Sequence, residues 1–179
     1  MKSIIDFAHQ VLRDNTARDD IALDLTIGNG HDTLLLVELA AFVYGFDIQE
    51  QAILETKKRL SKYNNYLLIH DNHINFLQYA KNHFNVAIMN LGYLPGGNKQ
   101  ITTMAISTLP TVEAVLKNIN VLGILIIVVY PGHKEGKHEG KLLDIYLSKL
   151  NQQEYSILKY QFINQKNNPP YLLIIRRLK

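Results

Sequence analysis

Short apolar runs alternate along the chain with segments in which apolar residues recur every three or four positions. This alternation is typical of an α/β fold, in which helices cross over between the strands of a parallel sheet. The pattern predicts strands over residues 21–25, 42–47, 66–70, 86–90 and 123–130. It predicts helices over residues 2–14, 32–39, 49–62, 73–83, 103–118 and 140–150. A last pair of strands, 155–162 and 171–177, is expected to form an antiparallel hairpin at one edge.

The bulk properties narrow the class of protein. A chain of 179 residues without an internal repeat or linker is expected to be one domain, 1–179, with a full hydrophobic core. The absence of cysteine excludes disulfides, a thiolate zinc site and a cysteine nucleophile. The first residues read as an amphipathic helix rather than a signal peptide, and the longest apolar stretch, 121–130, is too short to span a bilayer. We therefore expect a cytoplasmic protein with no membrane partner.

The most informative segment is Asp24-Leu-Thr-Ile-Gly-Asn-Gly-His-Asp-Thr33, in which a strand ends in an acid and two glycines precede a helix. The second strand also ends in an acid, Asp47, nineteen residues after Gly28. This layout is typical of a nucleotide-type cofactor site, because glycines let the backbone approach the ligand and the second acid can hold a ribose diol. An ordinary strand–turn–helix is the alternative.

Two residues of this turn favour one cofactor over others. Thr33 stands where a dinucleotide fold needs its third glycine, and Asp32 would repel a pyrophosphate. No Gly-Lys-Ser/Thr follows the turn, which excludes a P-loop. S-adenosylmethionine carries a sulfonium and an ammonium but no phosphate, and so suits an acid at this point. With the terminal hairpin, these features predict a Rossmann-like class I methyltransferase fold rather than an NAD-dependent oxidoreductase.

Ligands on such sheets bind beyond the carboxyl ends of the strands, so each strand end yields candidates. Asp24 is expected to orient the turn or receive the ammonium of the cofactor, Asp47 to bind the ribose, and Asp71 to bind the adenine amino group. Each acid could instead only cap a helix or accept from turn amides. The predicted cofactor residues are Asp24, Thr26, Gly28, Asn29, Gly30, Asp32, Thr33, Asp47, Gln49, Asp71, His73 and Asn90.

A second polar cluster, Asn90-Leu-Gly-Tyr-Leu-Pro-Gly-Gly97, follows the fourth strand. Amino-group methyltransferases commonly carry Asn/Asp-Pro-Pro-Tyr/Phe here, and Asn90 to Tyr93 has the same ends. Asn90 would accept the protons of a nucleophilic nitrogen, and Tyr93 would stack on a base. A plain glycine-rich turn is the alternative. The predicted substrate residues are Leu91, Gly92, Tyr93, Leu94, Pro95, Gly96, Gly97, Lys99, His133, Asn164 and Asn167.

The segment 130–139 follows the fifth strand and contains His133, which could act as a base or contact the substrate. We take Asn90, Tyr93 and His133 as the candidate catalytic residues. His133, Glu135, His138 and Glu139 have no spacing of a known metal site, so we interpret 130–139 as a flexible polar loop and expect no metal. The polar tip at 164–171 either lines the substrate pocket or forms a surface turn.

Four segments, 24–33, 44–49, 90–97 and 130–133, together resemble one known family over nearly the whole chain. They are similar to the small bacterial class I methyltransferases long labelled putative rRNA methylases, whose members are tRNA 5-(aminomethyl)-2-thiouridine methyltransferases. The segment 90–97 is the most specific of the four. Leu25, Ile27 and Asn98 depart from the residues expected for the family, but none of these changes removes a candidate site residue.

The resemblance implies methyl transfer from S-adenosylmethionine, leaving S-adenosylhomocysteine, to the exocyclic amine of 5-aminomethyl-2-thiouridine at tRNA wobble position 34. The implied partner is the tRNA anticodon stem-loop, with phosphates near Lys99, Lys134, Lys137 and Lys141; a homodimer would widen the RNA footprint. The net charge of +3 permits a nucleic-acid partner but does not require one. An rRNA base or a small-molecule amine is the alternative acceptor. The acids at 24, 47 and 71 argue against a non-catalytic RNA-binding module.

Overall fold

The apolar runs of the sequence form one seven-stranded sheet. A computed structural model of the protein describes residues 1–81, 83–97 and 100–179. The strands are β1 (Ile21–Asp24), β2 (Phe42–Asp47), β3 (Tyr66–His70), β4 (Phe84–Asn90), β5 (Ile119–Val129), β6 (Tyr155–Tyr160) and β7 (Tyr171–Arg177). Their order in the sheet is β3-β2-β1-β4-β5-β7-β6. β1 to β5 are parallel, whereas β7 runs antiparallel to both β5 and β6. The predicted Rossmann-like methyltransferase sheet with a terminal antiparallel hairpin is confirmed.

Helices cover both faces of this sheet. They are α1 (Ile4–Asn15), α2 (His31–Leu39), α3 (Glu50–Arg59), α4 (Ala105–Asn118) and α5 (Lys134–Leu147), with a 3₁₀ helix at His73–Gln78. Alternate residues of β5 serve opposite faces: Leu125 and Ile127 join the core beside α4 and α5, and Ile124 and Ile126 join the core beside α1 and α2. Burial on both faces explains why this strand is apolar at successive positions. Among the described helices, none is both long and apolar enough to cross a membrane.

The amphipathic leading helix is confirmed, and its start is fixed by a cap. The Ser3 hydroxyl accepts from the Asp6 backbone N–H at 3.1 Å and donates to the Asp6 carboxylate at 2.6 Å. Ala8 and Leu12 are buried on the inner face, which packs on β5 and α2. This packing brings α1 to the carboxyl edge of the sheet.

The largest differences from the sequence prediction, beyond shifts of one to three residues at other ends, concern three elements. The segment after β3 is a 3₁₀ helix that ends at Gln78, not an α-helix to residue 83. β5 begins at Ile119 rather than 123, because Ile119 already pairs with Phe84 of β4. The register then shifts before Ile124, and Leu122 in this stretch takes a left-handed conformation (φ 67°). α5 begins at Lys134 rather than 140. The interpretation of 130–139 as a flexible polar loop is therefore wrong for its second half.

The sequence pattern does not predict the start of α5, because Gly136 and Gly140 lie in its first turns and glycine is a poor helix former. The His133 Nδ1 atom accepts from the Gly136 backbone N–H at 3.1 Å and so caps the helix. A Cβ at Gly136 would lie 2.1 Å from the Tyr130 carbonyl oxygen, and one at Gly140 would lie 2.6 Å from the Tyr171 hydroxyl. Both glycines therefore permit close packing of α5 against the end of β5 and against β7.

The helix start at Gly136 can be tested by stability. In Gly136→Ala the new methyl group would meet Tyr130 at 2.1 Å, so the first turn of α5 must shift. We expect the free energy of unfolding to fall by about 2 kcal/mol. Gly132→Ala is the matched control, because a Cβ there meets only the Asn168 carbonyl oxygen, at 3.9 Å. Urea denaturation measures both variants, and equal stabilities would contradict the packing described for Gly136.

Candidate active site

Two cavities adjoin at the carboxyl edge of the sheet. The first, which we call the β2-side cavity, has a volume of about 260 Å³ and extends past the ends of β2 and β3. The second, the α1-side cavity, has a volume of about 740 Å³ and lies between α1, the start of α2 and residues 130–133. The wall common to both cavities consists of Thr26, Gly28, Asn90, Gly92, Tyr93 and Pro95. Two ligands bound in these cavities would therefore meet at this shared wall.

The glycine turn lies where the two cavities meet. Gly28 (φ 55°) and Gly30 (φ 75°) both adopt left-handed conformations, which glycine takes at little cost. A Cβ at Gly30 would also lie 2.5 Å from the Thr56 hydroxyl oxygen. Asn29 lines the α1-side cavity, and Gly28 lines both. The turn thus exposes backbone, rather than side chains, where the cavities meet.

The buried carboxylate of Asp24 stabilises this turn. It is completely buried, and it accepts from the Thr33 hydroxyl at 2.6 Å and from the Thr26 backbone N–H at 3.2 Å. Neither Asp24 nor Thr33 lines either of the two cavities. Of the two roles expected for Asp24, this position fits orientation of the turn and not direct contact with an ammonium group. Burial, with the nearby negative charge of Asp32, raises the pKa of Asp24 to about 7.

Asp47 joins the turn to the second strand and faces the β2-side cavity. One of its carboxylate oxygens accepts from the Gly28 backbone N–H at 3.0 Å, and the other accepts from the Gln49 backbone N–H at 2.9 Å. Gln49 is the first residue before α3, makes no side-chain cap and also lines the cavity. Partial burial raises the pKa of Asp47, and the backbone donors oppose that rise. The carboxylate is held rigidly at the point predicted for a ribose.

The end of β3 supplies the far wall of the β2-side cavity. The Asp71 carboxylate accepts from the Asn72 N–H, the Asn75 amide and the Tyr79 hydroxyl at 2.7 to 2.9 Å, and these bonds lower its pKa. The helix cap is Asn72, whose side chain accepts from Ile74 N–H at 3.0 Å. His73 is buried, and burial lowers its pKa to about 4, so the ring is neutral. Its Nε2 atom is buried and makes no hydrogen bond to any described residue.

Asp32 lines the α1-side cavity and contacts Asn90, a residue of the shared wall. One Asp32 oxygen lies 2.6 Å from His9 Nε2, and the other accepts from the Asn90 side-chain amide. The Asn90 backbone N–H donates to the Thr26 hydroxyl at 2.6 Å. Because the amide nitrogen of Asn90 faces Asp32, its carbonyl oxygen is the acceptor end of the side chain. This is the orientation that the sequence hypothesis requires of Asn90.

Tyr93 and His133 stand together in the α1-side cavity. Their ring centroids are 5.8 Å apart, at an angle of 54° between the planes. Because Nδ1 of His133 accepts from the Gly136 N–H, a neutral ring carries its proton on Nε2. While this cap is formed His133 can donate a hydrogen bond but cannot accept a proton, so the structure favours substrate contact over the role of base.

Some of the other predicted substrate residues line one of the two cavities, and others lie outside both. Leu91 lines the α1-side cavity and Leu94 lines the β2-side cavity, whereas Gly96 and Gly97 line neither. At the hairpin tip, Asn168 and Pro170 line the α1-side cavity in place of the predicted Asn164 and Asn167. Asn167 instead lies in a third depression, of about 650 Å³, between α5 and the β6–β7 connection. We call this depression the α5 groove. Lys99 lies outside the described residues.

Sequence reasoning missed three parts of the site. His9 lies on α1, and nothing in an amphipathic pattern distinguishes it from a surface histidine. Residues 101–107 line the β2-side cavity, where Ile101, Met104 and Ile106 form a partly exposed apolar rim. Glu139 is buried in α5 and bonds to two threonines of this region. Within the described residues, no group of three or more acidic or histidine side chains is arranged to hold a metal.

Solved structures identify the fold around these cavities. A protein of Streptococcus mutans, described as a putative methyltransferase in complex with SAH, is 35% identical with a TM-score of 0.93 over 99% of both chains. A putative rRNA-methylase from Clostridium thermocellum is 32% identical with a TM-score of 0.96, also over 99% of both chains. The fold and the site therefore define a class I, S-adenosylmethionine-dependent methyltransferase.

Sequence relatives identify the family within that class. The family described as Putative rRNA methylase matches residues 43–176. The chloroplastic tRNA (mnm(5)s(2)U34)-methyltransferase of Arabidopsis thaliana is 30% identical over 192 aligned residues, which cover 98% of this chain and 70% of that protein. The chain belongs to the Putative rRNA methylase family, as its four motifs predicted.

The cavity residues fit S-adenosylmethionine. Asp47 offers acceptors for ribose hydroxyls, and the apolar side chains of Phe46, Ile48 and Ile101 line the same cavity and suit a flat adenine ring. The methionine part would reach the shared wall beside the exposed backbone of the glycine turn.

The role of Asp47 can be tested by cofactor binding. Asp47→Ala removes the carboxylate and its two hydrogen bonds to the backbone. We expect the affinity for S-adenosylhomocysteine to fall by about 100-fold, as for the loss of one to two charge-assisted hydrogen bonds. Calorimetry measures the affinity, with Glu50→Ala, an exposed acid in the first turn of α3, as the control. An unchanged affinity in the folded variant would restrict Asp47 to a structural role.

The raised pKa of Asp24 predicts how stability depends on pH. Between the ordinary pKa of an aspartate, about 3.9, and about 7, the folded protein keeps a proton that the unfolded chain has released. Rising pH therefore favours unfolding in this window. From pH 5 to pH 8 this group should lower the free energy of unfolding by about 2 kcal/mol.

Asp24→Asn stays neutral, so the variant should lack that part of the decline. An asparagine can still accept from Thr26 and donate to the Thr33 hydroxyl, so the turn keeps both bonds. Urea denaturation of the parent and the variant at the two pH values makes the comparison. The same pH dependence in both proteins would mean that Asp24 is ionised throughout this range.

Proposed function

We propose that this protein transfers a methyl group from S-adenosylmethionine to the exocyclic amine of 5-aminomethyl-2-thiouridine at tRNA wobble position 34. The observation that carries the proposal is the placement of Asn90, which lines both cavities and whose side-chain amide donates to Asp32, leaving the carbonyl oxygen as the acceptor end of the side chain. The relative from Arabidopsis thaliana supports this acceptor, since its name specifies mnm(5)s(2)U34, the methylated nucleoside that the proposed reaction would produce.

An aliphatic amine must lose a proton before it can attack a methyl group. Its ordinary pKa is close to that of lysine, about 10.4, and transfer into a partly buried cavity disfavours the ammonium form. The cofactor supplies a methyl group on a sulfonium, which becomes a neutral thioether when the methyl leaves. Asn90 would accept an N–H of the amine and aim its lone pair. Correct placement of the reacting groups then accounts for most of the catalysis.

The α1-side cavity has the features that a splayed-out base requires. Tyr93 offers a flat ring for stacking, and the His133 ring lies beside it, with the two ring centroids 5.8 Å apart. The mouth of the cavity includes Asn168 and Pro170 from the hairpin tip. A base on a flexible loop could therefore enter while the rest of the RNA stays outside.

The α5 groove supports a polyanionic partner next to this cavity. Lys137 and Lys141 line the groove and are exposed, and Asn168 lines both the groove and the α1-side cavity. Lys134 lies at the start of the same helix. Phosphates of an anticodon stem would bind along this side of α5, and their attraction should weaken as salt rises.

The reaction can be tested on tRNA from cells that lack this protein. Incubation with labelled S-adenosylmethionine should produce 5-methylaminomethyl-2-thiouridine, with matching loss of the aminomethyl form in nucleoside mass analysis. Asn90→Ala should reduce kcat by about 100-fold, because the amine loses the acceptor that orients it.

Transfer RNA in which uridine 34 lacks the aminomethyl group is the control substrate and should not be methylated. Equal methylation of the control would reject the proposed acceptor. Methylation of rRNA in place of tRNA would assign the acceptor indicated by the description of the family.

A further inference from the structure

Glu139 is a buried acid outside both cavities. It lies in α5 with 1% of its surface exposed, and burial raises its pKa. One carboxylate oxygen accepts from the Thr108 hydroxyl at 2.6 Å, and the other accepts from the Thr103 hydroxyl at 2.8 Å. No ion pair to Glu139 is formed by the described residues. Burial of a carboxylate without a cation is costly, because its hydrogen bonds to the protein replace only part of its lost hydration.

Thr103 connects this acid to the loop that carries Asn90. The Thr103 hydroxyl oxygen accepts from the Gly92 backbone N–H at 2.8 Å, and the Thr103 backbone N–H donates to the Gly92 carbonyl oxygen at 2.9 Å. Tyr93 and Thr102 form an isolated antiparallel bridge at the same place. Residues 92–93 are thus anchored to residues 102–103, and through Thr103 to α5.

Gly92 needs this anchor because of its backbone conformation. Its φ of 134° lies outside the range that other residues favour, so local preference does not hold the loop in this shape. The Thr103 hydroxyl has a single proton. When its oxygen accepts from Gly92, a fixed acceptor for that proton is what orients the hydroxyl. The carboxylate of Glu139 is that acceptor.

We propose that Glu139 is a positioning residue for methyl transfer, acting through Thr103 and Gly92 to hold Asn90 and Tyr93 at the wall shared by the two cavities. The inference deepens the proposed function and relies on it for the activity measurements. The part of the inference that concerns the structure of the loop does not rely on the proposed function and can be measured separately.

Four variants separate positioning from stability. Thr103→Val removes the hydroxyl that links Glu139 to Gly92, and Glu139→Gln keeps the size of the side chain but can accept from only one threonine at its single carbonyl oxygen. Thr108→Val is the matched control, because it removes the other hydrogen bond to Glu139 and leaves the connection to Gly92 intact. Thr103→Ser keeps the hydroxyl and should restore the behaviour of the parent protein.

The first measurement is amide hydrogen exchange of Gly92, which needs no substrate. Exchange should become at least about tenfold faster in Thr103→Val and Glu139→Gln, because the N–H loses its fixed acceptor. Exchange in Thr108→Val and Thr103→Ser should stay within about threefold of the parent. Equal protection of Gly92 in all variants would overturn the inference, whether or not the protein methylates tRNA.

The second measurement separates kcat from binding. In Thr103→Val and Glu139→Gln we expect kcat on the tRNA to fall by about 10- to 100-fold, the effect of a small misplacement of reacting groups. In Glu139→Gln, which lies outside both cavities, calorimetric affinity for S-adenosylhomocysteine and KM for tRNA should change by less than about threefold. Thr103 itself lines the β2-side cavity, so Thr103→Val is not used for this comparison. Thr108→Val should keep its kcat even if its urea midpoint falls as far as that of Thr103→Val.

Two further outcomes would decide against positioning. If kcat follows the loss of stability equally in all variants, Glu139 serves only the packing of α5. If cofactor affinity falls together with kcat, the loop is holding the cofactor rather than the acceptor group. A parent protein that does not methylate tRNA would reject the proposed function alone, since the exchange of Gly92 would still test the anchor.

Discussion

The Asp32 carboxylate is the contact on which the geometry of the site depends. It bonds to His9 from the leading helix and to Asn90 from the end of β4, while its own backbone begins α2. A negative charge in the first turn of a helix is favoured by the helix dipole, which offsets part of the cost of its burial. One side chain therefore fixes three elements relative to each other. Without it, the acceptor end of Asn90 would have no defined direction.

The same principle recurs in the other buried acids of this edge. Asp24 holds the glycine turn, Asp47 holds the turn to β2, and Glu139 holds the loop after β4 through Thr103. In all three acids burial raises the pKa, which shows that each carboxylate is less stable in its charged form here than in water. Apolar residues would pack at lower cost, but they could not orient backbone N–H groups. Burial of these acids thus lowers the stability of the fold, but their hydrogen bonds fix the geometry of the site.

Some of this arrangement follows from local sequence, and some does not. The strands and the glycine turn were predictable, because apolar runs and the spacing of Gly28 and Asp47 reflect local requirements of the sheet edge. The start of α5 was not predictable, because Gly136 and Gly140 are poor helix formers. Glycine is needed at these two positions because Tyr130 and Tyr171 leave no room for a side chain. Such tertiary causes leave no trace in a short window of sequence.

The residues missed at the site share a different cause. His9 and Glu139 are polar residues on helices, and a helical pattern shows that a position is polar without showing what it meets. His9 meets Asp32 only because α1 packs on β5 and α2, and Glu139 meets Thr103 only because α5 lies against α4. Their partners are 23 and 36 residues away in the chain. Only the packed structure brings these groups together.

The strand order explains why both ligands meet at one wall. β1 lies between β2 and β4 in the sheet. From β1 the chain passes to β2 and β3 on one side, and then crosses back to form β4 on the other side of β1. A crevice opens where the connections diverge, and the glycine turn after β1 and the loop after β4 form its two sides. The cofactor cavity extends towards β2 and the larger cavity towards α1, so that only the shared wall is common to both. Transfer between ligands bound in the two cavities would therefore take place at the shared wall, which includes Asn90, and would depend on how well this wall aligns the reacting groups.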